Sequence, residues 1–195
     1  TGLFRHSLIV ILLTGMIGGG CGQKAPAGSA PRVLGKQGVD LSSYGKIELD
    51  NSRIEVSSIN QATEGKENLV KGLGAPYWHV KFPKETAEAW VVVDLGKEAR
   101  LYVLAVRPRT GQLDQLWTGN TAVLEGSNDK VEWIPLVKLE LKVAELNDQE
   151  WIAFLLPENI GSYRYYRLFI TDPNFLSLGG LAIYGEGGIP VVKPE

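Results

Sequence analysis

The sequence predicts an all-β domain, a sandwich or a barrel, over most of its length. From residue 46 onward, short apolar or alternating runs are separated by turn residues, which is the pattern of many short strands. Glycine accounts for 23 of the 195 residues, which suits a chain with many turns. No window shows a sustained helical period.

Ten runs predict the strands, at 46–49, 53–57, 78–82, 89–94, 100–106, 121–127, 134–136, 150–155, 163–170 and 180–184. Every position from Trp151 to Leu155 is apolar, so both faces of that strand are apolar. A strand of this kind lies deep in a sandwich rather than half-exposed.

The N-terminus is typical of an exported protein. Arg5 and His6 precede an apolar run at 8–17, and three glycines then lead to Cys21. A charged start, about ten apolar residues and small residues before a break form a secretory signal, too short to span a bilayer. The arrangement resembles a bacterial lipoprotein signal with an acylated Cys21, although Gly18 stands where that pattern prefers leucine. The alternative is a plain secreted protein with an incidental cysteine.

These features predict four regions. They are a signal peptide at 1–20, a lipidated cysteine with a flexible linker at 21–45, the domain at 46–186 and a C-terminal tail at 187–195. More than one acyl chain holds a protein stably at a membrane. We therefore expect a lipid-anchored protein of the cell envelope, and Gly22 favours the outer membrane or the cell surface. A single cysteine excludes an intramolecular disulfide.

Composition and motifs argue against several functions. The net charge is -2 and no basic block is present, so no nucleic-acid partner is expected. The sequence contains no zinc-protease motif, phosphate loop or nucleophile elbow, and only two histidines. Neighbouring acids such as Asp148 and Glu150 favour a solvated surface over a glycosidase pair, which needs carboxylates across a cleft. We expect neither an enzyme nor a cofactor.

Four motifs in order carry a resemblance to a known family. They are WVVVDLG (90–96), LEGSNDKVEW (124–133), YRYYRL (163–168) and LAIYG (181–185). Together they resemble the discoidin family, also called F5/8 type C or family-32 carbohydrate-binding modules, over residues 47–185. The resemblance implies a galactose-binding-like jelly-roll β-sandwich that binds rather than catalyses. Lys130 departs from the family by standing in a glycine position.

Within these motifs most residues are interpreted as structural. We expect Trp90 and Trp133 to be core aromatics. Asp94 and Arg167 are hypothesised to form a partly buried ion pair that joins two strands.

Many family members hold a structural calcium ion, and the resemblance allows a test of that site. The implied ligands are carboxylates in an early loop and a glutamate before the last strand. Lys71 and Leu73 stand where the two aspartates are expected, and Gly180 stands where the glutamate is expected. Calcium needs six to eight oxygen ligands, some of them charged, so we expect no metal at this site.

The resemblance places ligand binding in the loops at one end of the sandwich. The loop 110–120 follows Arg109 and contains Gln115 and Trp117, an arginine, an amide and an aromatic ring of the kind that holds sugars. The alternative is that Trp117 packs on the sandwich and Arg109 caps a turn. Two further loops are expected to add His79, Asn174 and Phe175.

The leading hypothesis is a membrane-anchored, non-catalytic carbohydrate-binding module of a bacterial cell envelope. Its partners would be a glycan or cell-surface polysaccharide and, through the lipidated N-terminus, the membrane. The alternative is a protein-interaction or adhesion module that uses the same loops to bind an envelope protein.

Overall fold

A computed structural model describes residues 32–34, 41–81, 88–117, 119–141, 151–173 and 175–190. Within this part of the chain lie one short α-helix and twelve strands. Their bounds are α1 Glu67–Lys71, β1 Arg32–Leu34, β2 Gly45–Ile47, β3 Ile54–Val56, β4 Trp78–His79, β5 Glu88–Ala99, β6 Leu101–Pro108, β7 Gly119–Ser127, β8 Ile134–Leu141, β9 Ile152–Leu155, β10 Tyr163–Thr171, β11 Ser177–Gly185 and β12 Ile189–Pro190.

The strands form two antiparallel sheets. One sheet has seven strands in the order β1-β9-β6-β11-β2-β12, with β4 paired to β11. The other has five strands in the order β3-β5-β10-β7-β8. Non-consecutive neighbours in both sheets require crossovers between them, as in a jelly roll. The predicted all-β, discoidin-like sandwich is confirmed.

The core lies between the sheets and follows the two-residue period of the strands. Along β10, Tyr166, Leu168 and Ile170 point inward and are buried. The hydroxyl of Tyr166 donates to the Ala99 carbonyl at 2.7 Å, which ties β10 to the end of β5. Burial raises the pKa of Tyr166 to about 12, so this hydroxyl stays protonated and remains a donor.

The two tryptophans expected in the core lie outside it. Val91 and Val93 point inward, so the alternation of β5 puts Trp90 on the outer face of the five-stranded sheet, opposite Phe169. Trp133 is half-buried on the same face, where its ring and that of Phe169 both lie against the guanidinium of Arg167. The prediction for both residues is wrong. Strand alternation turns Trp90 outward, and Trp133, in the connection before β8, lies under the guanidinium of Arg167 on the outer face instead of entering the core.

The predicted ion pair between Asp94 and Arg167 is also wrong. Register places Arg167 directly opposite Glu125 on β7, and these two side chains form the salt bridge. Asp94 instead pairs through two hydrogen bonds of 3.0 Å with Arg164, next to a register shift in β10. Directly opposite residues are closer than diagonal ones, which explains the choice of Glu125.

Strand β9 is buried on both faces, as its sequence predicted. Phe154 packs in the main core, whereas Ala153 belongs to a second apolar cluster on the outer face of the seven-stranded sheet. Leu41 and Tyr44 pack against that second cluster.

Two short strands lie within the regions predicted as the linker and the C-terminal tail. Strand β1 (Arg32–Leu34) pairs with β9, and β12 (Ile189–Pro190) pairs with β2. Strands of three and two residues are too short to show a periodic pattern in the sequence.

The predicted signal peptide and Cys21 lie outside the described residues. Within the described residues, no helix is long and apolar enough to cross a membrane.

Candidate ligand-binding site

The two ends of the sandwich differ in their connections. At one end, called the loop end, β6 and β10 finish and β7 and β11 begin. The other end carries the tight connections β5–β6 and β7–β8. The loop end holds a set of contacting polar side chains, called the polar cluster and made up of Glu64, Tyr77, His79, Arg109, Gln115 and Ser177.

Arg109 is the cation of the polar cluster. Its guanidinium carbon lies 3.9 Å from the centroid of the Tyr77 ring, and its Nη1 donates to Gln115 Oε1 at 3.1 Å. A cation over an aromatic face is attracted by the ring quadrupole. Within the described residues, no carboxylate lies at salt-bridge distance from Arg109. A guanidinium has five N–H donors, and within the described part of the chain Gln115 supplies a side-chain acceptor for Arg109.

Gln115 holds Arg109 in place. Its Oε1 accepts from Arg109 and, at 2.7 Å, from the hydroxyl of the buried Ser177 on β11. Its Nε2 donates to Gln112 at 3.1 Å. Because this amide is already bonded on both sides, Gln115 positions the arginine between β6 and β11. The prediction that Gln115 belongs to the site stays a prediction, with this supporting role.

Glu64 is the anion of the polar cluster. It accepts from the Tyr77 hydroxyl at 3.0 Å and from Asn60 at 2.8 Å. Burial would raise the pKa of the Glu64 carboxyl, but the hydrogen bonds from Asn60 and Tyr77 and the nearby His79 outweigh burial. The pKa of Glu64 therefore lies below its usual value, and the group is ionised at neutral pH.

His79 lies beneath the surface rather than on it. The residue is 7% exposed, and both ring nitrogens are shielded from solvent. Nδ1 lies 3.4 Å from Glu64 Oε2. Burial lowers the pKa of His79, and Arg109 adds to that effect, whereas Glu64 opposes it. With so little exposed surface, His79 packs against Glu64 and Tyr77 beneath the polar cluster, and its predicted place in the ligand site stays a prediction.

Trp117 is a core residue. It is 3% exposed, its ring stacks on Phe154 at a centroid distance of 6.0 Å, and its indole N–H donates to the Leu139 carbonyl at 2.7 Å. The prediction that it stacks on a ligand is wrong. The structure has the alternative arrangement, in which the Trp117 ring packs back on the sandwich.

Phe175 is 39% exposed and offers the aromatic surface that Trp117 does not. It lies two residues before Ser177, whose hydroxyl bonds to Gln115. Its predicted neighbour Asn174 lies outside the described residues.

The residues at the family's calcium position do not fit a calcium ion. Leu73 is 59% exposed and offers no side-chain oxygen, and Lys71 Nζ donates to Asn68 Oδ1 at 3.2 Å. Gly180 has no side chain at all. Among the described residues, no group of three or more His, Cys, Asp or Glu side chains could hold a metal ion.

Sequence reasoning missed three members of the polar cluster. Tyr77 and Glu64 come from the segment before β4, and Ser177 opens β11. Tyr77 carried a weak signal, because it stands two positions before His79 and thus on the same side of an extended chain. Glu64 carried none, since only the fold brings residues 64 and 109 together.

The F5/8 type C domain model matches residues 53–178, which is more than half of the chain. The chain belongs to that family.

Solved structures share the fold at low sequence identity. CBM32-3 from a family 31 glycoside hydrolase of Clostridium perfringens is 20% identical, with a TM-score of 0.56, over 77% of this chain and 100% of that chain. The family 32 module of C. perfringens NanJ, in complex with galactose, is 16% identical with a TM-score of 0.56, over 72% and 98%.

A chitosan-binding module from a chitosanase/glucanase of Paenibacillus sp. IK-5 is 17% identical with a TM-score of 0.52, over 73% of this chain and 99% of that chain. No curated protein matches the chain. At these identities the solved structures establish the fold and leave the ligand to be argued from the residues.

Proposed function

We propose that this chain is a non-catalytic glycan-binding module whose ligand lies on the polar cluster, against Arg109 and beside Phe175. One observation carries the proposal. Arg109 is fixed by the Tyr77 ring and by Gln115, but it has no carboxylate partner within the described residues. A half-buried guanidinium with no carboxylate partner among the described residues, at the same end of the sandwich as the exposed Phe175, suits hydroxyl groups on one side of a sugar and its C–H face on the other.

The charge balance favours a neutral ligand. Glu64 contributes one negative charge and Arg109 one positive charge, while burial favours neutral His79 at pH 7. The polar cluster is therefore nearly neutral and lacks the concentration of cations that recognises phosphate. Neutral sugars present many hydroxyl groups that act as both donors and acceptors, which matches such a site.

The structural relatives add support of a general kind. One is described in complex with galactose, another, from Clostridium perfringens, in complex with GalNAc-β-1,3-galactose, and a third as a chitosan-binding module. These ligands differ from one another. The proposal therefore extends to a neutral or weakly charged glycan, such as a cell-surface polysaccharide.

We further propose that the module is anchored to the cell envelope through an acylated Cys21. Support comes from the apolar run at 8–17 and the small residues before this cysteine. Expression of the full chain in a bacterial host, followed by detergent phase partition, tests the anchor. We expect the wild-type protein in the detergent phase and Cys21→Ser in the aqueous phase; a wild-type protein in the aqueous phase would contradict it.

Glycan-array binding by the full chain tests the ligand proposal, with Arg109→Met as the informative variant. A hydrogen bond to a charged group contributes about 1.5–3 kcal/mol, so we expect affinity to fall by about 10- to 100-fold. The melting temperature should change by less than about 3 °C, because Arg109 has a side-chain hydrogen bond to Gln115 and no carboxylate partner among the described residues that would be left unpaired. Arg53→Met is the matched control, since Arg53 is an exposed arginine near the opposite end.

The outcomes separate the two functions. Glycan binding that is lost in Arg109→Met and kept in Arg53→Met supports the proposal. No binding to any glycan, together with capture of an envelope protein that excess free sugar does not release, would favour the protein-interaction alternative.

A further inference from the structure

We propose that the guanidinium of Arg107 replaces the structural calcium ion of the family and holds the loop after α1 against β11. The inference goes beyond the proposed function and does not depend on the ligand. It concerns the place where the implied calcium ligands have been replaced by Lys71, Leu73 and Gly180.

The loop and the strand meet through their backbones. The amide of Gly74 donates to the Gly179 carbonyl at 3.1 Å, and the Thr110 amide donates to the Gly74 carbonyl at 3.1 Å. A Cβ added to Gly179 would lie 2.3 Å from the Gly74 Cα. Only glycine permits such an approach at this point, so no carboxylate side chain can project from position 179 into the contact.

Position 180 is closed in the same way. A Cβ on Gly180 would lie 2.7 Å from the Gly72 Cα and 2.8 Å from the ring of Trp151. The Trp151 ring also lies 2.8 Å from a Cβ built on Gly72. The indole and the glycine backbones thus fill the space into which a glutamate at position 180 would extend.

Arg107 supplies a positive charge at this contact. On β6 it pairs in register with Gly180, and its Nη1 donates to the Gly72 carbonyl at 2.9 Å. Its Nε lies 3.2 Å from a Cβ built on Gly74. The guanidinium therefore lies beneath the loop, beside both Gly72 and Gly74, and bonds to a carbonyl as a metal ion would.

A guanidinium and a calcium ion make different demands on their surroundings. Calcium needs several oxygen ligands and some negative charge, whereas a guanidinium is held covalently by its own chain and needs acceptors only. Within the described residues, no carboxylate forms a salt bridge with Arg107. The loop is consequently expected to keep its structure whether or not calcium is present.

The first test is thermal unfolding of the full chain in calcium and in EDTA. We expect the two melting temperatures of the wild-type protein to agree within about 1 °C. A rise of more than about 3 °C in millimolar calcium would overturn the proposal, because a ligand that binds the native state raises its stability.

The second test is hydrogen exchange at the Gly74 amide in Arg107→Met. Loss of a hydrogen bond to a charged group is expected to speed this exchange by about 10- to 100-fold. Arg53→Met, the control for loss of a cation, should leave it unchanged. Arg107→Lys keeps the positive charge but not the planar guanidinium, so it should increase the exchange rate of the Gly74 amide by less. It replaces Arg107→Met if that variant does not fold. Unchanged exchange at Gly74 in the variant that is used would overturn the proposal.

Discussion

The polar cluster and the outer face of the five-stranded sheet use the same side chains in different ways. On the sheet face, Arg167 lies 4.2 Å from the centroid of the Trp133 ring and is paired with Glu125. Arg164 lies 4.8 Å from the Tyr165 ring centroid and is paired with Asp94. In the polar cluster, Arg109 has the ring of Tyr77 but no carboxylate among the described residues.

The difference follows from how each region is built. Strand register brings Arg167 and Glu125 directly opposite each other, so the charge of Arg167 is neutralised by the fold itself. Arg109 lies in a loop, where no register supplies a partner, and Gln115 fixes its direction without cancelling its charge. We infer that the sheet-face arginines contribute to stability and that the loop-end arginine contributes to binding.

Substitution of Arg167 should have the largest effect on stability. In Arg167→Met the carboxylate of Glu125, 8% exposed, loses its partner. Removal of one member of a buried ion pair costs about 3–5 kcal/mol, and partial exposure reduces this to about 2–3 kcal/mol. The melting temperature is expected to fall by about 5–10 °C. Thermal unfolding monitored by circular dichroism measures it.

A double-mutant cycle then identifies the partner of Arg167. Glu125→Gln should couple strongly to Arg167→Met, and Asp94→Asn should show no coupling to it. Strong coupling with Asp94 instead would restore the pairing expected from the sequence. Ligand binding should be unaffected in all of these variants, and its loss in Arg167→Met would break the division between the two regions.

Trp117→Phe is expected to have an intermediate effect. The phenyl ring keeps most of the packing on Phe154, but the Leu139 carbonyl loses its buried donor. An unsatisfied buried acceptor costs about 1–3 kcal/mol, so a fall of about 3–8 °C in melting temperature is expected. Affinity for the glycan should be unchanged, because Trp117 stabilises the domain beneath the loop end.

Trp133→Phe is the matched control for this variant. Its indole N–H donates to the Lys130 carbonyl at 3.1 Å in an exposed hairpin, where water can replace the bond. Its fall in melting temperature should therefore be smaller. A loss of glycan binding in Trp117→Phe with an unchanged melting temperature would restore Trp117 to the ligand site.

The strands could be predicted from the sequence because their signal is local. Alternation and turn residues located the runs, and the double apolar pattern of β9 identified a strand buried on both faces. The face of the sheet on which each side chain lies was harder to predict. Trp90 is as hydrophobic as a core residue, and only the inward direction of Val91 and Val93 places it outside.

The site could be predicted only in part, because its contacts are non-local. The family resemblance pointed to Arg109, and the polar composition of the loop after β6 pointed to Gln115. The partners that orient them, Tyr77 and Ser177, come from other segments of the chain. Trp117 was misassigned because an aromatic residue in a polar loop looks the same whether its ring faces solvent or the core.

The smallest predicted effect is a pH dependence that belongs to the polar cluster. Burial, with a contribution from Arg109, lowers the pKa of His79 below its ordinary value of 6.5 in spite of Glu64. The unfolded chain therefore takes up a proton at a pH where the folded protein does not, so stability falls as pH drops through 6.5. Below the pKa of His79 in the folded protein, both states carry the proton, and this loss of stability stops. We expect the melting temperature to be lower at pH 5.5 than at pH 7.5.

His79→Gln separates this effect from the acid response of the carboxylates. The pKa values of Glu64 and Asp94 are lowered, so their stabilisation is complete above their unfolded values and is lost only as pH falls through the lower folded ones. In this variant the melting temperature should therefore no longer depend on pH near 6.5. It should still fall at strongly acid pH, where Asp94 on the sheet face becomes protonated. If the melting temperature of His79→Gln still depended on pH near 6.5, the source of that dependence would lie outside the polar cluster. The polar cluster and the sheet face would then no longer differ in the pH range over which each contributes to stability.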